Sequence, residues 1–480
     1  MLPHTANLLS SARNSRYLPS RWACWCVRQR DTIKKIAEAA IEADKEVNHI
    51  IDVVATSHKF DLEAVESALR KAVLVAGAKV LGGLLEGIGC GRREHPVLCH
   101  CGSIMQSKGI ENKTLVTIMG PVPFSRSRYE CDDCGETRYP GDEEMDVVGT
   151  RRTPGLRRMM ARAGSRETFK EAKEDLKVYA DIEVSPKDVE RVAEKIGDQI
   201  ETWQAAERGK LLQIEAPSTE DKNIAVLYVE MDGTGEPMVK PEVEGRRGKQ
   251  PDGTSKSREA KLGCVFTQTM RDEHGRPVRS PESTTFVGAI ETAEDFSSRI
   301  KAEAIRRGLF NASRVVLLGD GASWIRGICE LRFPQALQIA DLYHAKEHVS
   351  NLCKLLFGSN EKNVLRYRTK WWTYLEEGNI EKIRYQANTN ILSGATTAQK
   401  VESEICYLQQ NKNRMRYAEF HKQGLFAGSG VIETACKSLI GSRLKQSGME
   451  WTVKEANAIV ALRCAMLSER FEDFWESRAA

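Results

Sequence analysis

The sequence lacks a run of 18 or more apolar residues, which is about the length that a membrane-spanning helix requires. Its most apolar stretch, Ala72 to Leu85, is interrupted by Lys79 and followed directly by Glu86. The first 30 residues contain five arginines and no acid, and they lack the apolar segment of a secretion signal. We therefore expect neither a membrane span nor a secretory signal, and we predict that 1–30 is an unstructured leader.

A strong net charge is also lacking, because 71 basic residues oppose 67 acidic ones, giving +4 over 480 residues. Binding to a polyanion would therefore depend on local clusters of charge. One cluster lies between Gly149 and Lys170, where seven cations accompany the single acid Glu167. The candidates for contact with a phosphate backbone are Arg151, Arg152, Arg157 and Arg158. A solvated helix face is the alternative interpretation.

Length and composition predict several folded domains. A chain of 480 residues is too long for one ordinary core, so about two to four domains are expected. The apolar share of 41% and the charged share of 29% are typical of globular proteins. Thirteen cysteines without a secretion signal indicate a reducing compartment, where thiols stay free or bind metal.

Four of these cysteines have the spacing of a zinc ribbon. Cys99 and Cys101 precede the alternating stretch Thr114 to Tyr129, whose predicted turn is Gly120-Pro121, and a second pair follows it at Cys131 and Cys134. Zinc prefers four soft ligands in a tetrahedron, and two pairs at the ends of a hairpin supply them. Because the first pair is unusually tight, His100 or His95 could replace one thiol. Four free thiols are the alternative.

Helical spacing marks the segments on both sides of this ribbon. Asp31 to Asn48 and Asp61 to Gly87 predict an N-terminal helical pair. Beyond the basic cluster, one helix begins near Phe169 and another begins at Pro186, with Ser185 as its N-cap. Such a pair resembles a helix-turn-helix, and the cations that it would offer to DNA are Lys187, Arg191 and Lys195. A plain helical hairpin is equally compatible with the pattern.

From residue 224 onward, strands alternate with helices. Three strands without a long helix between them predict an antiparallel meander: Ile224 to Met231, Leu262 to Thr267 and Thr284 to Val287. A helix from Ala293 to Gly308 follows, and then two apolar runs each lead into a helix, as parallel strands do: Arg314 to Leu318 and Ala336 to Ala340. This is the element order of a ribonuclease H-like α/β fold with a mixed sheet. Tyr343 to Gln423 predicts a helical insertion.

These patterns divide the chain into seven segments. They are a leader (1–30), an N-terminal helical region (31–90), a zinc ribbon (91–145), a basic helix-turn-helix region (146–215), the first part of a catalytic domain (222–345), a helical insertion (346–425) and closing helices (426–480).

Three acids stand at positions suited to metal binding. Asp232 and Asp320 each end an apolar strand and precede glycine, and Glu433 follows Gly428-Ser429-Gly430 at a helix start. Because ligands gather at the carboxyl ends of parallel strands, both aspartates could face one site. A turn aspartate and a first-turn glutamate would explain the same residues.

Two aspartates and one glutamate are suitable ligands for Mg²⁺, which prefers oxygen. A pair of such ions, about 3.5–4 Å apart, can activate an attacking oxygen and stabilise a leaving oxyanion in phosphodiester cleavage. In this hypothesis Asp232 bridges both ions, whereas Asp320 and Glu433 each favour one. Mn²⁺ is a possible substitute.

Several motifs resemble the ISKra group of bacterial insertion-sequence transposases, which are DDE enzymes with Mutator-like relatives. The matching stretches are Val229 to Gly235, Leu318 to Ile325, Asp341 to His344, Gly428 to Lys437 and Arg443 to Met449. The resemblance runs from about Cys99 to Trp475. It implies an RNase H-like domain with a helical insertion before the catalytic glutamate, and Mg²⁺-dependent DNA cleavage and strand transfer. The implied catalytic residues are Asp232, Asp320 and Glu433.

The resemblance also implies roles for neighbouring residues and partners. Asp341 and His344 would support catalysis by positioning Asp320 or contacting the scissile phosphate, although a helix N-cap and a buried histidine would look the same. Arg443 and Lys445 would contact DNA phosphates, or else form an exposed helix end. The expected partners are double-stranded terminal inverted repeats, target DNA and further copies of the chain, in the bacterial cytoplasm at the nucleoid. The alternatives are a transposase-derived DNA-binding regulator and an RNase H-fold nuclease.

Overall fold

The computed structural model describes residues 48–49, 52, 61–88, 90–215, 223–248, 250–358, 360–390 and 395–479. The predicted leader, and nearly all of the predicted helix Asp31 to Asn48, lie outside these residues. The chain divides into two compact units, Met1–Ala193 with Glu476–Ala480, and Glu194–Trp475. Within the described part, no helix is long and apolar enough to cross a membrane.

The first unit contains a small antiparallel sheet. Its leading elements are α1 (Leu62–Ile88), β1 (Val97–Leu98), β2 (Ile104–Thr117), β3 (Gly120–Glu130), β4 (Thr137–Arg138) and α2 (Pro140–Glu144). The strands pair in the order β1-β2-β3-β4. The predicted hairpin is confirmed, but its turn is Ile118–Met119 and not Gly120-Pro121, because Thr117 already pairs with Gly120.

Three helices follow, namely α3 (Pro154–Arg166), α4 (Phe169–Ala180) and α5 (Pro186–Leu211). The predicted N-cap is confirmed, since Ser185 Oγ accepts a hydrogen bond from Asp188 N at 3.1 Å. Gly164 lets α3 approach the start of α5 closely, because a β-carbon there would lie 2.9 Å from Val189 Cγ1. Phe169 of α4 lies 3.5 Å from the same position, so the three helices approach one another at Gly164.

The second unit is built on a mixed six-stranded sheet. Its elements are β5 (Ile224–Pro237), α6 (Lys240–Val243), β6 (Ser257–Arg271), β7 (Pro277–Arg279), β8 (Thr285–Ala289), α7 (Ala293–Arg306), a 3₁₀ turn (Leu309–Asn311), β9 (Ala312–Gly319), α8 (Ser323–Arg332) and β10 (Leu337–Ala340). The order is β10-β9-β5-β6-β7, with β8 also beside β6. The predicted antiparallel pairing of β5, β6 and β8 and the parallel pairing of β5, β9 and β10 are confirmed.

Alternation along β5 separates the core from the candidate site. Leu227, Val229 and Met231 are buried in an apolar cluster that includes Phe296 of α7 and Ile325 of α8. Residues of opposite parity point to the other face of the sheet. That face carries Tyr228, Glu230, Asp232, Thr234 and Glu236. One face of β5 therefore packs in the apolar core, and the opposite face carries the acids of the candidate site.

The rest of the second unit is helical. Its elements are α9 (Leu342–Phe357), α10 (Glu361–Glu376), α11 (Ile380–Asn388), α12 (Ala395–Asn411), a 3₁₀ turn (Lys412–Arg414), α13 (Tyr417–Lys422), α14 (Gly430–Ala435), a π-helical stretch (Cys436–Gly441), α15 (Ser442–Leu444), α16 (Val453–Leu467) and α17 (Phe471–Ala479). Helices α9 to α13 and a 3₁₀ turn occupy most of the described residues of the predicted helical insertion 346–425. Trp371 of α10 is fully buried, and its ring contacts those of Phe357 on α9 and Tyr367 on α10.

Candidate functional site

Three aspartates lie at equivalent positions of three neighbouring parallel strands, with Asp320 and Asp341 directly after β9 and β10 and Asp232 within β5. Met231 of β5 pairs with Gly319 of β9, and Gly319 pairs with Ala340 of β10. The residues that come next along these strands are Asp232, Asp320 and Asp341. The parallel registers therefore bring all three to one edge of the sheet, as we predicted for the first two.

Asp232 is a partly desolvated carboxylate. Its Oδ1 accepts from Gly233 N at 2.7 Å, and its Oδ2 accepts from the Cys436 thiol at 3.3 Å. Burial raises the pKa of Asp232, and the negative charge of Asp320 raises it further, against hydrogen bonds that lower it. Asp320 accepts from Ala322 N at 2.8 Å through Oδ1. The two carboxylates are thus close enough to repel each other, and a cation between them would relieve this repulsion.

Asp341 is fully buried, and its carboxylate links His344 of α9 to Ser429 in the loop before α14. We call these three residues the clasp. Its Oδ1 accepts from His344 N at 2.6 Å, which makes it the N-cap of α9. Its Oδ2 accepts from both N and Oγ of Ser429, at 2.5 and 2.9 Å. Both carboxylate oxygens of Asp341 therefore have a structural role. One caps α9, as in the N-cap interpretation of the sequence, and the other binds the loop that leads into α14.

Glu433 lies in the first turn of α14, and its Oε1 accepts from Ser429 Oγ at 3.3 Å. The helix docks on β5, where the buried Glu230 Oε2 accepts from Ile432 N at 3.0 Å. Burial raises the pKa of Glu230 to about 8. Asp341, which was predicted to support catalysis, and Glu230, which was not predicted as functional, thus hold the two ends of the turn that carries Glu433. The signal for Glu230 in the sequence was its position two residues before Asp232, on the same face of the strand.

The three predicted ligands do not form a single tight cluster. Among the described residues, the sets of three or more candidate ligand atoms within 4.8 Å of one another do not include Asp232, Asp320 and Glu433 together. A site for two ions about 3.5–4 Å apart is wider than a site for one, since its outer carboxylates bind different ions. Among the described residues, these three carboxylates therefore do not form a compact site for a single ion.

The predicted phosphate contacts at Arg443 and Lys445 differ in exposure. Arg443 is fully buried, with its guanidinium 5.4 Å from the centre of the Trp451 ring. It is therefore unavailable to a DNA backbone, and this prediction was wrong for the side chain as placed. Lys445 Nζ donates to Thr234 Oγ1 at 2.5 Å. Thr234 shares the strand face of Asp232, so Lys445 brings a positive charge to the site.

His344 belongs to a side-chain network that sequence reasoning missed. It lies on α9, and its Nε2 is 3.2 Å from Nε2 of His348, one turn further on. His348 in turn contacts Glu404 of α12. The signal in the sequence was the spacing of four residues between the two histidines, which puts them on one face of a helix.

The four predicted zinc ligands converge in the first unit. Cys99 Sγ lies 3.4 Å from Cys134 Sγ, Cys101 Sγ lies 3.6 Å from Cys131 Sγ, and all four sulfurs lie within 4.8 Å of one another. Tetrahedral zinc with about 2.3 Å bonds requires sulfurs about 3.8 Å apart. The spacing of the thiols therefore fits zinc.

The two histidines considered as alternative zinc ligands differ in position. His100 belongs to a second set of candidate ligands, with Cys99, Cys134 and Glu136. Its Nδ1 contacts the Glu136 carboxylate. His95 is in neither of these two sets, so only His100 could replace a thiol as the side chains stand.

The cations of 146–215 that were predicted to contact DNA differ in exposure. Arg151, Arg158, Arg191 and Lys195 are exposed, and so is Lys187, whose Nζ lies 2.6 Å from a carboxylate oxygen of Glu190. Arg152 is half-buried and pairs with Asp188 at 2.5 Å. Arg157 is buried and pairs with Asp146 at 2.7 Å, so its predicted contact with phosphate is corrected to a structural ion pair. Arg151 and Arg152 also line an open cleft of about 380 Å³ with Lys113 and Arg126.

Comparison with known proteins gives a family and no established activity. A UPF0236 protein of Caldanaerobacter subterraneus subsp. tengcongensis, whose name joins eleven locus designations, is 23% identical over 287 residues, covering 57% of this chain and 50% of that protein. The chain thus spans about half the length of that relative. The "UPF0236 protein in vanSb 3'region" of Streptococcus gallolyticus is 21% identical over 377 residues, covering 77% of this chain and 75% of that protein.

Among solved structures, the Drosophila P element transposase strand transfer complex aligns with a TM-score of 0.23 and 10% identity, over 67% of this chain and 80% of that one. So low a score indicates nothing about a shared fold. The model of UPF0236, described as an uncharacterised protein family, matches residues 56–471. The chain therefore belongs to the UPF0236 family.

Proposed function

We propose that this protein is a DDE transposase of an insertion sequence, of the ISKra type. The observation that carries the proposal is the equivalent position of Asp232 and Asp320 on the adjacent parallel strands β5 and β9, together with Glu433 on a helix that docks on β5 through Glu230. Carboxylates in this arrangement bind the ions that phosphodiester chemistry uses. The eleven loci of the Caldanaerobacter relative are in keeping with a mobile element.

The sheet supports an RNase H-like assignment. Three antiparallel strands, β5, β6 and β8, are followed by two strands parallel to β5, with helices between them. The helices α9 to α13 lie in the chain between the second aspartate and Glu433. This is the position that the resemblance assigns to a helical insertion.

Two Mg²⁺ ions are the cofactors that fit the donor set. The site offers hard carboxylate oxygens, and the mutual repulsion of Asp232 and Asp320 favours a divalent cation. When bound, the ions would polarise the phosphate and activate the attacking oxygen. Asp232 would contact both, whereas Asp320 and Glu433 would each hold one.

The first unit would bind double-stranded terminal repeats. Zinc on Cys99, Cys101, Cys131 and Cys134 would stabilise the small sheet as a ribbon. Exposed cations on α3 and α5 would contact phosphates, and those of the pair α4 and α5 would act as in a helix-turn-helix. Joining two element ends would require more than one copy of the chain.

Strand transfer in vitro tests the proposal. The substrate is duplex DNA carrying the terminal repeats that flank the gene, with Mg²⁺, and the comparison is between the native protein, Asp320→Asn and the control Glu330→Gln. Glu330 is an exposed acid on α8, so the control makes a similar charge change away from the site. We expect joining by the native protein and the control and none by Asp320→Asn. Repeat binding without joining by the native protein would indicate a regulator instead, and preferential cutting of branched DNA would indicate a nuclease.

A further inference from the structure

Four side chains of the helical segment form a connected row beside Asp320. On α9, His344 Nε2 lies 3.2 Å from His348 Nε2. On α12, Glu404 Oε2 lies 2.5 Å from His348 Nδ1, and the Tyr407 ring stacks on the His348 ring with centroids 3.6 Å apart. Glu404 and His344 thus contact the two different ring nitrogens of His348, so the three side chains form a continuous row.

For an ionised Glu404 and two neutral histidines, these contacts determine which ring nitrogens carry hydrogen. An ionised Glu404 can only accept, so His348 carries its hydrogen on Nδ1. Neutral His348 then has a bare Nε2 that accepts from Nε2–H of His344. Neutral His344 is left with a bare Nδ1, and the nearest carboxylate on its own helix, Glu347, is 3.7 Å from that atom and outside hydrogen-bonding distance.

The row is attached to the candidate site at two points. Tyr407 donates its hydroxyl hydrogen to the backbone oxygen of Asp320 at 2.7 Å. The backbone nitrogen of His344 donates to the buried Asp341 at 2.6 Å. Since both anchors are at the strand ends that carry the aspartates, His344 is held at the same edge of the sheet as Asp320.

We propose that His344 Nδ1 accepts the proton of the attacking water or hydroxyl, and that His348 and Glu404 are positioning residues that hold His344 in the accepting tautomer. This inference rests on the proposed function. As the attacking oxygen forms its bond to phosphorus, its proton passes to His344 Nδ1. The imidazolium that forms keeps its Nε2 hydrogen bond to His348, and the ionised Glu404 stabilises this charge through His348. The 3′ oxygen leaves with the electron pair of its P–O bond and takes a proton from water.

The full-length protein tests this by single-turnover strand transfer on repeat-end DNA with Mg²⁺. We expect His344→Ala to lower the joining rate by roughly 100-fold or more, as removal of a general base does. Added imidazole should restore part of that rate, which a merely structural loss would not allow. Glu404→Ala should lower the rate by about tenfold or more, and Glu404→Gln should retain more of it, because an amide oxygen can still accept from His348.

Glu402→Ala is the matched control, since Glu402 is an exposed acid on the same helix and outside the row. Repeat-end binding and circular dichroism check that each variant is folded. If Asp320→Asn abolishes joining while His344→Ala joins at the native rate, or is slow but not rescued by imidazole, the role of His344 as base is wrong and the proposed function stands. If the native protein does not join repeat ends at all, the proposed function fails and the role of His344 fails with it.

Discussion

Glu236 provides a quantitative test of how the candidate site is packed. Its side chain is fully buried on β5, and within the described residues neither carboxylate oxygen has a hydrogen-bond partner. Burial raises the pKa of Glu236 from 4.5 to about 8, with the nearby charge of Lys445 opposing the shift. The folded protein therefore binds a proton at pH values where the unfolded chain has released it.

The sign and size of the effect follow from linkage. Because the folded pKa is raised, the protonated carboxyl contributes full stability below pH 4.5, and that contribution is lost as the pH rises to about 8. Each pKa unit corresponds to about 1.4 kcal/mol, so the full loss is on the order of 5 kcal/mol. Between pH 5 and pH 7 the loss is about 2.5 kcal/mol.

The perturbation is Glu236→Gln, which keeps the shape and removes the titration. An unpaired buried amide has its own cost, but that cost does not change with pH, so the comparison uses slopes and not absolute stabilities. Urea unfolding followed by tryptophan fluorescence between pH 5 and pH 8 gives the free energy of unfolding. Between pH 5 and pH 7, we expect the free energy of unfolding of the variant to rise relative to that of the native protein by about 2.5 kcal/mol.

The control is Glu259→Gln on the adjacent strand, where the side chain is 46% exposed and lies 3.0 Å from Lys261. Glu230, which is also buried with a raised pKa, is present in all three proteins and cancels. Parallel curves for the native protein and Glu236→Gln would refute the reasoning, since they would mean that Glu236 is hydrated or ionised in the fold.

Two further predictions test the zinc site and the clasp. Cys131→Ser should reduce the zinc content measured by metal analysis from one ion per chain to none, because the tetrahedral site loses a buried thiolate. Cys90 lies outside the four-cysteine set, so Cys90→Ser should retain the zinc. Equal zinc content in both variants would contradict the assignment. Ser429→Ala should lower the free energy of unfolding by about 1–3 kcal/mol, because it removes a donor to the buried carboxylate of Asp341. Thr434→Ala, which removes an exposed hydroxyl one turn into α14, is its control, and equal losses would count against the clasp.

The sequence predicted strand positions well where apolar residues alternate with polar ones or follow one another. It predicted them less well where the strand is polar. The predicted first strand ended at Met231, but β5 continues to Pro237 in antiparallel register with β6. The missed part contains Gly233, Gly235 and Glu236, which are depleted in strands. A partner strand and burial between helices overrode those preferences, and neither is visible in a local pattern.

The position of Asp320 was predictable for the same local reason, because the end of the apolar run marks the end of β9, whereas the apolar run before Asp232 ends inside β5. The burial of charged side chains was not predictable. Arg157 and Arg443 look like surface cations in the sequence, yet the first pairs with Asp146 and the second packs on Trp451. The long apolar stem of arginine lets it enter a core when a partner meets the charged end, and partners distant in sequence cannot be read from charge spacing.

Glu433 illustrates why the site needs contacts between segments far apart in the chain. Its helix is held at Ser429 by Asp341 and at Ile432 by Glu230. Asp341 meets three donors, two on Ser429 and one on His344, and an ionised carboxylate can accept from all of them, whereas an asparagine would have to turn its NH₂ group toward one. The same acceptor thus sets the positions of Glu433 and His344 together. An acid at this strand end is required by the donors around it, even though it need not contact a metal.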